Sequence, residues 1–128
     1  MERPISKPPG TPVNQLDTPS LIIDIAKLEH NIEVMHSFFR NTEAKLRPRI
    51  DSHGSAAIAH KQIAAGGTVG GISVMTLGQA EVFAQHGFTD IFIVSELVTR
   101  HKITRLCLLA RSVNITVAVD SEQNVRDL

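Results

Sequence analysis

Gly71-Ile72-Ser73-Val74-Met75-Thr76, followed by Leu77-Gly78-Gln79-Ala80-Glu81-Val82-Phe83-Ala84-Gln85-His86-Gly87 and then by Asp90-Ile91-Phe92-Ile93-Val94, is the stretch that decides the fold. A short apolar, β-branched run gives way to a segment of helical length that a glycine stops, and a second such run follows at once. A helix between two strands is the crossover that parallel neighbours need, so the sheet reads as parallel. The same alternation extends in both directions. Upstream, residues 21–25 read as an apolar strand, with Asp24 placed to cap a helix whose stripe is Leu28, Ile32, Met35 and Phe39. Residues 44–51 read as the next strand, irregular at Pro48, which lacks a ladder donor. Residues 54–65 read as a helix stopped by Gly66-Gly67. Downstream, a helix from about Thr99 buries Ile103, Leu106, Cys107 and Ala110, residues 115–119 form a fifth strand, and Asp120-Ser121-Glu122-Gln123 caps a fifth helix.

Five strand-helix units leave two α/β architectures, a doubly wound sheet and a barrel. The first places a glycine-rich turn after its opening strand, and here that turn is Asp24-Ile25-Ala26-Lys27, with no glycine. The expectation is therefore a partial (β/α) barrel of about five units. A closed barrel typically takes about 250 residues, and this chain has 128. Five strands cannot close, so two edges and the intended interior are left uncovered. Five of the six prolines fall within the first nineteen residues. Residues 1–15 are accordingly read as an extended arm, and residues 16–128 as the partial barrel.

Composition narrows the function classes. Lys+Arg and Asp+Glu number 13 each, and hydrophobic residues make up 42% of the chain, so no basic stripe suited to nucleic acid emerges. No apolar run reaches the length of a membrane span. Cys107 is the single cysteine, which excludes an intrachain disulfide framework and fits a cytoplasmic chain. Trp and Tyr are absent, and all aromatic bulk is in five Phe.

Several apparent motifs carry no chemistry. Gly66-Gly67-Thr68-Val69-Gly70-Gly71 sits after a helix and before a strand and lacks the Walker lysine, so it reads as a helix stop and loop. The six histidines never fall one helical turn apart as paired ligands, and no metal site is expected. Asp51-Ser52-His53 groups the residue types of a hydrolytic triad, yet neighbours on a strand point to opposite faces, and working triads draw on separate loops.

Asp17-Thr18-Pro19-Ser20-Leu21-Ile22-Ile23-Asp24, Leu28-Glu29-His30-Asn31-Ile32, Leu46-Arg47-Pro48, Gln62-Ile63-Ala64-Ala65-Gly66 and Leu77-Gly78-Gln79-Ala80-Glu81 recur in order and spacing in a known family. With Asp90-Ile91-Phe92-Ile93 and Thr116-Val117-Ala118-Val119-Asp120-Ser121, the chain resembles the N-terminal part of the pyridoxal-phosphate enzymes that include D-threonine aldolase and D-serine dehydratase. These are relatives of the alanine racemase N-terminal barrel. The resemblance implies a TIM-like barrel that binds pyridoxal phosphate and acts on D-amino acids as a lyase. In that family the second strand carries Arg-Pro-His-x-Lys-Thr-His-Lys, whose first lysine forms the imine with the cofactor. Here the stretch is Arg47-Pro48-Arg49-Ile50-Asp51-Ser52-His53-Gly54. Arg47 and His53 match as cofactor-side residues, while Asp51 occupies the position of the imine lysine.

A carboxylate cannot form an imine and repels an anionic phosphate where an ammonium attracts it. Lys45, on the same strand face, lies six residues away, roughly 20 Å at strand rise, and Lys61 is well along the next helix. The expectation is a catalytically incompetent barrel piece with covalent pyridoxal phosphate lost. Two readings follow. The chain is a fragment or split-enzyme subunit that a complementary barrel half completes, with a D-amino acid as ligand only once the pocket is restored. Alternatively it is a non-catalytic binding protein that uses its open edge or its Arg47/Arg49 face, as a homo-oligomer or with a full-length paralogue.

Overall fold

The computed structural model describes residues 7–128. The start of the expected arm, residues 1–6, lies outside the described residues. Within the remainder of that arm, Val13–Gln15 form one 3-10 turn. The sheet is built from β1 (Ile72–Val74), β2 (Asp90–Ile93) and β3 (Asn114–Val117), all parallel and in the order β1-β2-β3. The helices are α1 (Ile25–Arg40), α2 (Ala56–Ala64), α3 (Leu77–Gln85), α4 (Arg100–Leu109) and α5 (Glu122–Asp127). The crossover argument from residues 71–94 holds in the register itself: Ile72 pairs with Ile91 and Val74 with Ile93, across α3.

Among the described residues, three of the five expected strands are regular strands. Residues 44–51 do not form a regular strand but join the sheet edge through isolated parallel bridges, Leu46 to Thr68 and Arg49 to Ser73. Between the bridges two residues (47–48) thus answer four (69–72), where Pro48 has no N–H to give and Gly70 bends the opposing chain at φ +82. The ladder is kept only where donors exist, as in Ile50 N–H to Ser73 O at 3.1 Å and Ser73 N–H to Pro48 O at 2.8 Å. Residues 21–25 are not a strand either. Leu21, Ile22 and Ile23 pair with no strand and are exposed, and Ile25 already begins α1.

One face of the sheet forms the core. Ile50, Ile72, Val74, Ile91 and Ile93 are fully buried against Ala59 of α2, Leu77, Ala80 and Phe83 of α3, and Leu106 of α4. Helix starts are fixed by side-chain caps: Asp24 accepts from Lys27 N–H, Ser55 from Ile58 N–H, and Thr76 forms a reciprocal capping box with Gln79. Ser121 caps α5 through Asn124 N–H, inside the expected capping pattern.

Two stripe assignments are overturned. In α1 the buried positions are Ile32 and His36, with Leu28 and Phe39 partly covered, whereas Met35 is exposed. His36 takes the place because its Nδ1 lies 2.8 Å from Gly66 O, which satisfies the ring as it is buried. The approach needs Gly67 (φ +67), where a Cβ would come within 2.8 Å of His36 O. In α4 only Leu106 is buried; Ile103 is partly covered, and Cys107 and Ala110 are exposed. The helix is turned about one position from the expected stripe, so the thiol is not part of the core.

Candidate functional site

The sheet face opposite the core carries the residues singled out from the sequence. The register sets them in rows: Arg49, Ser73, Phe92 and Thr116 lie side by side, with Gly71, Asp90 and Asn114 one step earlier. Arg47 meets Asp90 of this row, and Arg49 and Asp51 pair with each other beside Met75. Asp51 sits where residues 46–50 end, at the C-terminal edge of a parallel sheet. That is where barrel and open α/β enzymes place their chemistry.

Each arginine of this face has its own carboxylate. Arg47 reaches across Gly71 to Asp90, with Nη1 at 2.8 Å from Oδ1 and Nη2 at 3.4 Å from Oδ2, and Nη1 also donates to Ile72 O. Gly71 makes this passage possible. A Cβ there would collide with Arg47 Nη1 and sit 2.7 Å from Asp90 O. Arg49 Nε donates to Asp51 Oδ1 at 2.7 Å, and its Nη2 rests on Met75 Sδ. The hydrogen bond from Arg49 holds the Asp51 carboxyl below the usual carboxylate range, with the nearby positive charge as a smaller cause. On the Arg47/Arg49 face, each guanidinium thus engages a carboxylate, Arg47 with Asp90 and Arg49 with Asp51.

His53 does not join them. Its Nδ1 accepts from Ser55 N–H at 3.0 Å, so in the neutral ring the proton lies on Nε2, which faces Gln62 Oε1 at 3.3 Å. The ring belongs to the start of α2 and lines a cleft of about 210 Å³ with Ile32, His36 and Ile58. The two lysines weighed as substitutes are occupied elsewhere. Lys45 Nζ caps the end of α1 by donating to Phe39 O and Arg40 O, both at 3.1 Å, and Lys61 pairs with Glu29 at 2.6 Å. Sequence reasoning missed Asp90 and Gly71. The signal available was an acidic residue opening a strand behind an otherwise unexplained glycine pair.

Among the described residues, no three His, Cys, Asp or Glu side chains converge as a metal site. Two larger clefts, about 570 and 660 Å³, lie in the helix layer and include none of Arg47, Arg49 or Asp51.

No protein-family model matches the chain. It is 36% identical over 117 residues to D-threonine aldolase of Arthrobacter sp., covering 91% of this chain and 30% of that protein. It is also 33% identical to 3-hydroxy-D-aspartate aldolase of Paracoccus denitrificans, covering 94% and 31%. The crystal structure of D-threonine aldolase from Filomicrobium marinum superposes with a TM-score of 0.85 at 36% identity, over 91% of this chain and 31% of that one. The chain is homologous to the N-terminal part of the D-threonine aldolase family. A D-threo-3-hydroxyaspartate dehydratase structure agrees, with a TM-score of 0.80 at 32% identity. The chain spans about 30% of the length of these two aldolase relatives. Its mixed α/β architecture is theirs in this region, and no helix among the described residues is long and apolar enough to cross a membrane.

Proposed function

We propose that this chain is a first barrel segment of the D-threonine aldolase type that has lost covalent pyridoxal phosphate and is not catalytic alone. The observation that carries the reading is Asp51, at the C-terminal strand edge, engaged by Arg49 at 2.7 Å. The aldolase and dehydratase resemblance puts an imine-forming lysine there. An ionised carboxylate offers no nucleophilic nitrogen, and both arginines of the face already engage carboxylates. These residues do not fit the cofactor, and no step of bond cleavage runs through it. A cytoplasmic location fits the single unpaired cysteine.

Borohydride reduction after incubation of the full chain with pyridoxal phosphate, followed by peptide mapping, tests the reading. The expected result is scattered, substoichiometric labelling of exposed lysines. A stoichiometric adduct on one lysine overturns it.

The open sheet favours a second element of the proposal. Beyond β3 no further strand is paired among the described residues, and residues 46–50 form the other margin through two bridges only. The partner with the matching surface is the remainder of such a fold, joined to this stretch or supplied by another chain. A D-amino acid becomes a ligand only in that completed assembly.

A further inference from the structure

The cleft of about 210 Å³ between α1 and α2 contains two histidines whose tautomers the backbone fixes. His36 Nδ1 lies 2.8 Å from Gly66 O, and a carbonyl only accepts, so the ring proton sits on Nδ1. In the neutral ring Nε2 is then an acceptor. It has no hydrogen-bond partner among the described residues, although His36 is only 2% exposed. A buried acceptor without a donor costs free energy, and a group that supplies the donor recovers it. On the α2 side, Ser55 N–H donates to His53 Nδ1 at 3.0 Å, which leaves the proton of that ring on Nε2. His53 Nε2–H therefore requires the oxygen of Gln62, and Oε1 lies 3.3 Å away. The amide N–H groups of Gln62 are left without an acceptor among the described residues.

The cleft thus presents one acceptor and one donor between the apolar surfaces of Leu28, Ile32, Met35 and Ile58. That pattern selects a ligand chemistry. No charged side chain is among the described residues that line the cleft, so an ionic ligand finds no counter-charge there. A carboxylate only accepts and leaves His36 Nε2 unmet; an ammonium only donates and leaves Gln62 unmet. A hydroxyl does both, with one O–H and two lone pairs. Size sets the other limit. An apolar cavity of roughly 150 Å³ holds benzene, so this cleft takes one ring, or a short chain, that carries the hydroxyl.

We infer that the cleft between α1 and α2 is a binding site for a small neutral alcohol, whose O–H donates to His36 Nε2 and whose oxygen accepts from the Gln62 amide. The apolar body of the ligand lies against Leu28, Ile32, Met35 and Ile58. The site includes none of Arg47, Arg49 or Asp51, and it stands independently of the reading of the chain as a barrel segment.

The test titrates the full chain with phenol and, separately, with toluene, which has the same ring and a methyl group in place of the hydroxyl, and follows both by NMR. The expected result is saturable one-to-one binding of phenol, at least ~10-fold tighter than that of toluene, with shifts centred on the methyl groups of Ile32 and Ile58 and the ring of His36. His36→Phe keeps a ring and removes the acceptor, so the two affinities should come within about twofold of each other. Where that variant does not fold, because Gly66 O has lost its donor, Gln62→Leu decides: it should weaken phenol about tenfold and leave toluene unweakened. Absence of saturable phenol binding assigns His36 Nε2 to water and overturns the site. Equal affinities in the parent chain, shifts centred outside the cleft, or a preference for phenol that the folded variant retains each overturn it as well.

Discussion

At the residue scale, position 71 governs the polar face. The Arg47 guanidinium crosses the backbone of Gly71 to reach Asp90, and the paired side chains are 28% and 27% exposed, partly withdrawn from water. Gly71→Ala should destabilise the chain by about 2 kcal/mol, because a methyl group forces the arginine off its carboxylate. Adding Arg47→Ala to that variant should cost less than Arg47→Ala in the parent, since the clash then has no second party. Additive losses in denaturant melts would falsify the clamp. Asp51 acts in the other direction. Its carboxyl is held low by Arg49, so its contribution is present above the ordinary carboxylate range and is lost as pH falls through the lowered value. Parent and Asp51→Asn melting curves should therefore differ at neutral pH and converge on acidification. A gap that persists at low pH would assign the effect to packing instead of charge.

At the element scale, periodicity located the helices well and faced two of them wrongly. Stripe counting ranks Met35 above His36 because it scores side chains by apolarity. Burial went to the residue whose polar atom had a partner: His36 gives up water for Gly66 O, and Gly67 lets the helix come close enough. His36→Ala, which leaves that carbonyl unpaired and a gap behind it, should cost about 1–3 kcal/mol, and Met35→Ala should stay within about 0.5 kcal/mol. Equal losses would restore the expected stripe. Cys107 follows the same logic on α4, where the rotation that buries Leu106 turns the thiol outward. Native protein should react with a thiol reagent at the rate of unfolded protein to within about tenfold; protection beyond that contradicts an exposed position. The strands were legible where a regular neighbour exists, as for β1, β2 and β3. Residues 21–25 have strand composition and no partner, and residues 44–51 have a partner but lose donors at Pro48, and neither condition can be read from local pattern.

At the scale of the whole molecule, the parts of the chain are held by different kinds of attachment. β2 lies between two strands and carries fully buried Ile91 and Ile93. Residues 46–50 are fixed by two bridges, the Arg47–Asp90 pair and buried Ile50, and α1 rests on α2 through His36 at Gly66 O and Arg40 at Ala65 O. Apolar burial is the large term in stability; opening α1 exposes little core, opening residues 46–50 exposes chiefly Ile50, and either leaves β1, β2 and α3 assembled. The candidate site lies on that loosely held margin, because Asp51 ends the bridged segment. Arg47, Pro48 and His53 in order are what marks the candidate site in the sequence. Its neutralised state was not, since the Arg47 partner comes from 43 residues away. Hydrogen exchange of the chain alone should show amides of Ile91 and Ile93 exchanging only on global unfolding. Those of Leu46, Ile50 and α1 should open about 2 kcal/mol or more below that limit, and Gly71→Ala should widen the difference for Leu46 and Ile50 while leaving β2 and α1 in step. Uniform protection would mean that the sheet margin folds as one unit with the core.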